Sequence, residues 1–130
     1  MRARPVILVG LGGAVGTLVR YLWALAVPGA AGTLVVNLSG ALILGWLLTA
    51  LHMRGSDEGR RASVRLFAGT GVLGGYTTYS TLAMGSADFL ADGSVAVGVG
   101  YAIGSVVLGT ACAAAGILLG RRFPMMGEDE

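Results

Sequence analysis

Lysine is absent from these 130 residues, histidine and cysteine occur once each, and only 12% of the chain is charged. A soluble domain carries about 25% charged residues, so a chain with 55% hydrophobic residues and a mean hydropathy of +0.77 falls outside that class. It belongs in a bilayer. The single cysteine, Cys112, excludes an internal disulfide and a cysteine-built metal cluster, and in its Ala-rich surroundings it reads as a packed small hydrophobe. His52 stands at the edge of an apolar run without a second ligand candidate beside it, so it reads as interfacial and not as a metal ligand. The seven acidic residues are read as lying in loops and tails. A span without a carboxylate cannot carry coupled protons, which counts against a small four-helix drug exporter. An enzyme is disfavoured on similar grounds, because Ser80 and its neighbouring threonines have no histidine or carboxylate partner at depth.

What is present is apolar sequence in four runs, at residues 6–27, 33–51, 64–89 and 95–119. Each is about long enough to cross a ~30 Å hydrocarbon core. The first follows Arg2 and Arg4 and contains the triplet Ala24-Leu25-Ala26, in the manner of a signal peptide. Its apolar run continues past Arg20 to a span's full length and further spans follow, so it is expected to be retained. Gly10, Gly12, Gly13 and Gly16 miss the dinucleotide-binding spacing, because the third glycine would fall at Val15. Gly12 and Gly16 instead form a GxxxG pair, which lets another helix backbone approach closely. Asn37-Leu38-Ser39 matches a glycosylation sequon but lies inside a span and is discounted. The fourth run repeats small-xxx-small spacing at Gly100 and Gly104, Ser105 and Gly109, Gly109 and Ala113, and Gly116 and Gly120, a pattern suited to close helix packing. The expected fold is an all-α integral membrane protein forming a single four-helix domain, with an unstructured acidic end beyond Arg121-Arg122.

Four crossings place both termini on one side. That side holds Arg2, Arg4, Arg54, Arg60, Arg61, Arg65, Arg121 and Arg122, while the two opposite loops hold no arginine. The positive-inside rule then puts both termini in the cytoplasm.

The third run carries the feature that needs explaining. Between Gly69 and Leu82 stand four glycines and a cluster of hydroxyl side chains, Gly74-Gly75-Tyr76-Thr77-Thr78-Tyr79-Ser80-Thr81 at its heart. Glycine frees the backbone and hydroxyls compete for its hydrogen bonds, so this helix is expected to break mid-membrane. Broken helices are tolerated there only when buried in protein or lining a watery path. Four short glycine-rich helices enclose little volume, so a path is expected between subunits, in at least a dimer.

These stretches together resemble the Fluc (CrcB) family of small bacterial fluoride channels. The resemblance rests on Gly12-Gly13-Ala14-Val15-Gly16 with Arg20, Gly32-Thr33-Leu34-Val35-Val36-Asn37 with Gly40, the Gly74–Thr81 motif, and Tyr101 with Ser105. It implies an antiparallel dimer with fluoride pathways at the interface, fluoride and lipid as partners, and no nucleic acid. It implies a structural sodium ion held by backbone carbonyls, here of Gly74 and Thr77. It also implies that Asn37, Thr78, Tyr79, Ser80, Leu82, Tyr101, Ser105 and Arg20 belong to the pathway. Fluoride is strongly hydrated, and amide, hydroxyl and aromatic-edge donors could replace its water without a fixed charge beside it. Plainer readings stand alongside: Asn37 as an interhelical hydrogen bond, Arg20 as a snorkelling cation, Tyr101 and Ser105 as packing on one helix face.

Two departures shape the expectation further. The family motif usually carries phenylalanine where this chain has Tyr79 and Leu82, and many members have balanced loop charges where this chain's arginines are one-sided. Tyrosine keeps an aromatic edge, whereas leucine offers none. Together these departures suggest one half of an antiparallel heterodimer, paired with a paralogous subunit in preference to itself. A non-conducting partner subunit is the alternative that Leu82 keeps open. A passive channel suits fluoride because neutral HF enters from acid surroundings, ionises in the cytoplasm and is trapped as the anion.

Overall fold

The computed structural model describes residues 3–122; Arg2 and the acidic tail therefore lie outside the described residues. Helix α1 spans Ala3–Ala26 and α2 spans Ala30–His52. A short α3, Gly59–Val64, runs into a π-helical segment at Arg65–Leu73 and then into α4, Gly74–Tyr76. After a break come α5, Ser80–Ala91, and α6, Val95–Arg122. Three helices, α1, α2 and α6, are long and apolar enough to cross a membrane unaided. The helical pieces between Gly59 and Ala91 together make a fourth, bent element of the bundle. The result is an all-α bundle with one bent span.

Helix boundaries extend a few residues beyond several of the apolar runs, because backbone hydrogen bonding does not stop where hydrophobicity does. One expectation needs correcting. Asp88 is not in a loop but in the final turns of α5, where it is exposed and its carbonyl accepts the Asp92 amide at 3.0 Å. The helix ends three residues later in a Schellman arrangement: Gly93 sits at φ 79°, its amide reaches the Leu90 carbonyl at 3.1 Å, and the Ser94 amide reaches Phe89 at 2.8 Å.

Helix α1 lies against the π-helical segment and α4, whereas α2 lies along α6. Helix α5 packs on α6. The third span therefore changes partner along its length, from α1 before the break to α6 after it. Glycines set the first contact. A Cβ on Gly12 would lie 3.0 Å from the Gly71 Cα, one on Gly16 2.8 Å from the Tyr76 amide nitrogen, and one on Gly75 3.0 Å from the Gly13 Cα. The GxxxG pair thus meets backbone directly. On α6 the small-residue pattern divides. A Cβ on either Gly116 or Gly120 would lie 2.8 Å from the backbone of Trp46, but Gly100, Gly104 and Gly109 face open space within the subunit.

Leu47, Leu51 and Leu73 form the buried apolar core, with Trp46, Val64 and Tyr76 packed around them. At the arginine-rich end the connection before α3 is held by its own side chains. Arg61 donates to the carbonyls of Arg54 at 2.8 Å and Ser56 at 2.9 Å, and Arg65 pairs with Asp57 at 2.7 Å. Both members of that ion pair are well exposed, so the pair orders the loop more than it stabilises the fold. His52 closes α2 and is exposed, and among the described residues no group of histidine, cysteine or carboxylate side chains could hold a metal.

Candidate functional site

The Gly-Gly pair does not itself break the third span. Gly74 and Gly75 remain helical, and the chain departs at Thr77, whose φ of −74° and ψ of 157° are extended. Helical geometry resumes at Tyr79, φ −86° and ψ −38°, ahead of α5. The π-helical turns just before the break were not anticipated from sequence. Such widened turns are seldom stable alone and cluster at functional sites; here the backbone-to-backbone contact with α1 supports them.

Three polar groups at the break, the Thr77 carbonyl and both backbone groups of Thr78, meet named side chains. Arg20 Nη1 donates to the Thr77 carbonyl at 3.1 Å. The Asn37 carboxamide pairs with both backbone groups of Thr78, its Nδ2 donating to the carbonyl at 2.8 Å and its Oδ1 accepting the amide at 2.8 Å. That bond takes the Thr78 amide away from Gly74, the carbonyl it would meet in a continuous α-helix. Thr77 keeps the preceding turn closed, with its amide at 3.0 Å and its hydroxyl at 2.9 Å from the Leu73 carbonyl.

Beyond the clamp lies a hydroxyl cluster. Thr78 Oγ1 is 3.2 Å from Ser80 Oγ and 3.1 Å from Thr81 Oγ1, and it accepts the Thr81 amide at 3.3 Å. These side chains sit at the N-terminal end of α5, where the helix dipole favours negative charge. A groove of about 450 Å³ opens beside them, lined by Arg20, Thr17, Trp23, Thr33, Thr78 and Thr81 among others. Its walls thus carry one guanidinium, several hydroxyls and no carboxylate.

The remaining candidates are placed differently. Tyr79 is 82% exposed and projects away from its own subunit. Leu82 is half-buried, its carbonyl accepting the Ser86 hydroxyl at 3.0 Å. Tyr101 donates to the Ala30 carbonyl at 3.2 Å and meets Phe89 edge to face, with ring centroids 6.0 Å apart. Ser105 is buried and turns its hydroxyl onto the Tyr101 carbonyl of its own helix at 2.6 Å. Thus Arg20, Asn37, Thr78 and Ser80 converge on the break through direct hydrogen bonds, whereas Tyr101 and Ser105 bond elsewhere in the subunit.

Sequence reasoning missed three participants. Thr17 donates to the Gly75 carbonyl at 3.5 Å, and its position three residues before Arg20 on the same helix face was an available signal. Ser39, set aside with the sequon, shares a hydrogen bond of 3.0 Å with the Tyr76 hydroxyl. Phe89, the edge partner of Tyr101, carried no local signal at all.

Comparison with known proteins bears on most of the chain. A family profile described as CrcB-like protein, Camphor Resistance (CrcB), matches residues 7–117. A relative from Leifsonia xyli subsp. xyli, named fluoride-specific ion channel FluC 2, is 48% identical over 92% of this chain and 86% of its own. Another from Cutibacterium acnes, fluoride-specific ion channel FluC 1, is 45% identical over 82% of this chain and 79% of its own. A third from Rhizobium meliloti, fluoride-specific ion channel FluC, is 38% identical over 89% of this chain and 95% of its own.

Proposed function

This chain belongs to the CrcB family, and from that premise we propose that the broken third span, with the side chains gathered on it, is the fluoride-handling centre of a membrane channel. The protein is a multi-pass, fluoride-selective ion channel and not an enzyme. The observation that carries the pathway reading is the hydroxyl cluster of Thr78, Ser80 and Thr81 at the head of α5, set beside the Arg20 guanidinium at membrane depth. Hydroxyl donors replace part of the anion's hydration, and the nearby positive charge draws it in without binding it directly. Tyr79, Leu82, Tyr101 and Ser105 complete the proposed path, Tyr79 contributing its ring edge and its hydroxyl from outside the subunit.

One subunit does not complete this path. A tyrosine 82% exposed at mid-membrane needs a partner for its hydroxyl, which a second subunit would supply. The occupant favoured here is a same-family subunit in the opposite orientation, a paralogue ahead of a second copy, because the arginines bias this chain toward both termini in the cytoplasm. A central sodium ion fits the donor chemistry available. The Gly74 carbonyl has lost its helical partner, Gly74 faces open space, and backbone oxygens suit a hard cation. The Thr77 carbonyl already accepts Arg20 and would offer the ion its second lone pair. Gly74 and Thr77 would hold the ion, and its contribution would be to tie two subunits together at their breaks.

Fluoride efflux from liposomes tests this reading. Efflux from the chain together with its paralogue, and none from either alone, is the expected outcome. Efflux from the chain alone would show self-pairing and overturn the heterodimer, while absence of efflux in both preparations would overturn the channel. Terminal reporter fusions should place both ends in the cytoplasm, and an even split between sides would refute the fixed orientation.

A further inference from the structure

We infer that Asn37 is a positioning residue that acts through Thr78; this rests on the channel reading above. The carboxamide of Asn37 engages the Thr78 backbone at both ends, 2.8 Å on each side, as a neighbouring strand's peptide would. Thr78 is where this matters. Its amide and carbonyl have left the helical ladder, and a span tolerates such groups only where protein or a watery path meets them.

The surroundings fix the side chain in that role. Val36, immediately before Asn37, is 1% exposed. Gly40, one turn on, lacks the Cβ that would run into Thr77 and lie 3.4 Å from the Tyr76 ring. Ser39 holds the Tyr76 hydroxyl at 3.0 Å. One stretch of α2 thereby grips the residues on both sides of the break.

What Asn37 positions is the hydroxyl cluster. Thr78 Oγ1 takes part in contacts with Ser80 Oγ, Thr81 Oγ1 and the Thr81 amide, yet a hydroxyl has one proton to give and two lone pairs. The Thr81 amide must donate to it, so the three hydroxyl protons can be redistributed only among the side chains and any anion beside them. That redistribution requires Thr78 to stay in place, and Asn37 is the group that holds its backbone.

The test uses the full chain in lipid nanodiscs, in whichever assembly conducts, with Asn37→Ala and Asn37→Asp. Two quantities are read: hydrogen exchange of the Thr78 amide by NMR, and fluoride flux against fluoride concentration. Asn37→Ala removes both hydrogen bonds, so Thr78 exchange should rise about tenfold or more and maximal flux should fall, with the half-saturating concentration unchanged. Asn37→Asp keeps an acceptor for the Thr78 amide, so its protection should remain near wild type even if the alanine variant fails to fold. Unchanged Thr78 exchange in the alanine variant would overturn the inference. So would a tenfold rise in half-saturating fluoride at unchanged maximal flux, which would make Asn37 a direct ligand. Should the wild-type assembly carry no fluoride, the channel reading fails while the exchange comparison still decides the positioning role.

Discussion

The two halves of the third span are built on opposite plans. Before the break, the π-helical segment and α4 press backbone to backbone on α1, through Gly12, Gly13, Gly16, Gly71 and Gly75. After it, α5 presents Ser80 and Thr81 exposed at its start, and its partner is α6. The first half has almost no side-chain volume to spare at its contact, and the second half keeps polar side chains available. The contrast shows how a short bundle opens a polar surface in a bilayer: one half is locked so that the other can remain open. The break is the joint between them, held from α1 by Arg20 and from α2 by Asn37.

The largest effect is expected from attacking the locked half. Gly16→Val would place a branched side chain where a Cβ alone is 2.8 Å from the Tyr76 amide. Overpacking costs about 1–3 kcal/mol and more where backbone must move, so the yield of monodisperse protein should collapse on size-exclusion chromatography. Normal yield would mean that α1 and the third span are not in fixed contact.

Next comes the joint. Arg20→Gln removes a charge-assisted hydrogen bond to the Thr77 carbonyl, a bond class worth about 1.5–3 kcal/mol. Roughly tenfold slower fluoride efflux is expected, an effect of about 1.4 kcal/mol on the barrier. Retained rate would reduce Arg20 to a snorkelling side chain.

The open half should tolerate change in the fold but not in transport. Tyr79 makes little contact within its subunit, so Tyr79→Phe should alter the thermal stability of the isolated subunit by less than about 0.5 kcal/mol, as for other exposed positions. Its flux, measured beside Tyr79→Ala, separates the ring from the hydroxyl: a normal rate in the first and a lost rate in the second would assign the function to the ring edge.

The smallest effect belongs to a glycine outside both halves. Gly10 lies within α1, and a Cβ added there would meet nothing within 4 Å, so Gly10→Ala should be neutral or stabilising by up to about 1 kcal/mol in a melting experiment. A clear loss of stability there would locate the second subunit on that face of α1.

Much of this was legible before any fold was known. The four apolar runs, the GxxxG pair of α1 and the polar character of the third span followed from composition and spacing, because burial in lipid imposes length and periodicity on every crossing. Asp88 lies inside the 64–89 run and was still counted with the loops, because a charge near the end of an apolar run reads as its boundary while the helix goes on to Ala91, and the π-helical turns were missed because their support comes from a different helix.

The sequence by itself determined that this chain is a multi-pass helical membrane protein, that glycine governs its contacts, and that one apolar run carries a cluster of polar groups. Only the tertiary structure decided what those groups meet. Asn37 and Thr78 are 41 residues apart, and Arg20 and Thr77 are 57 apart. The physical reason is that hydrophobic period and helix propensity are local quantities. A hydrogen bond between crossings depends instead on how two helices are rotated and shifted against each other, which backbone contact at the glycines sets.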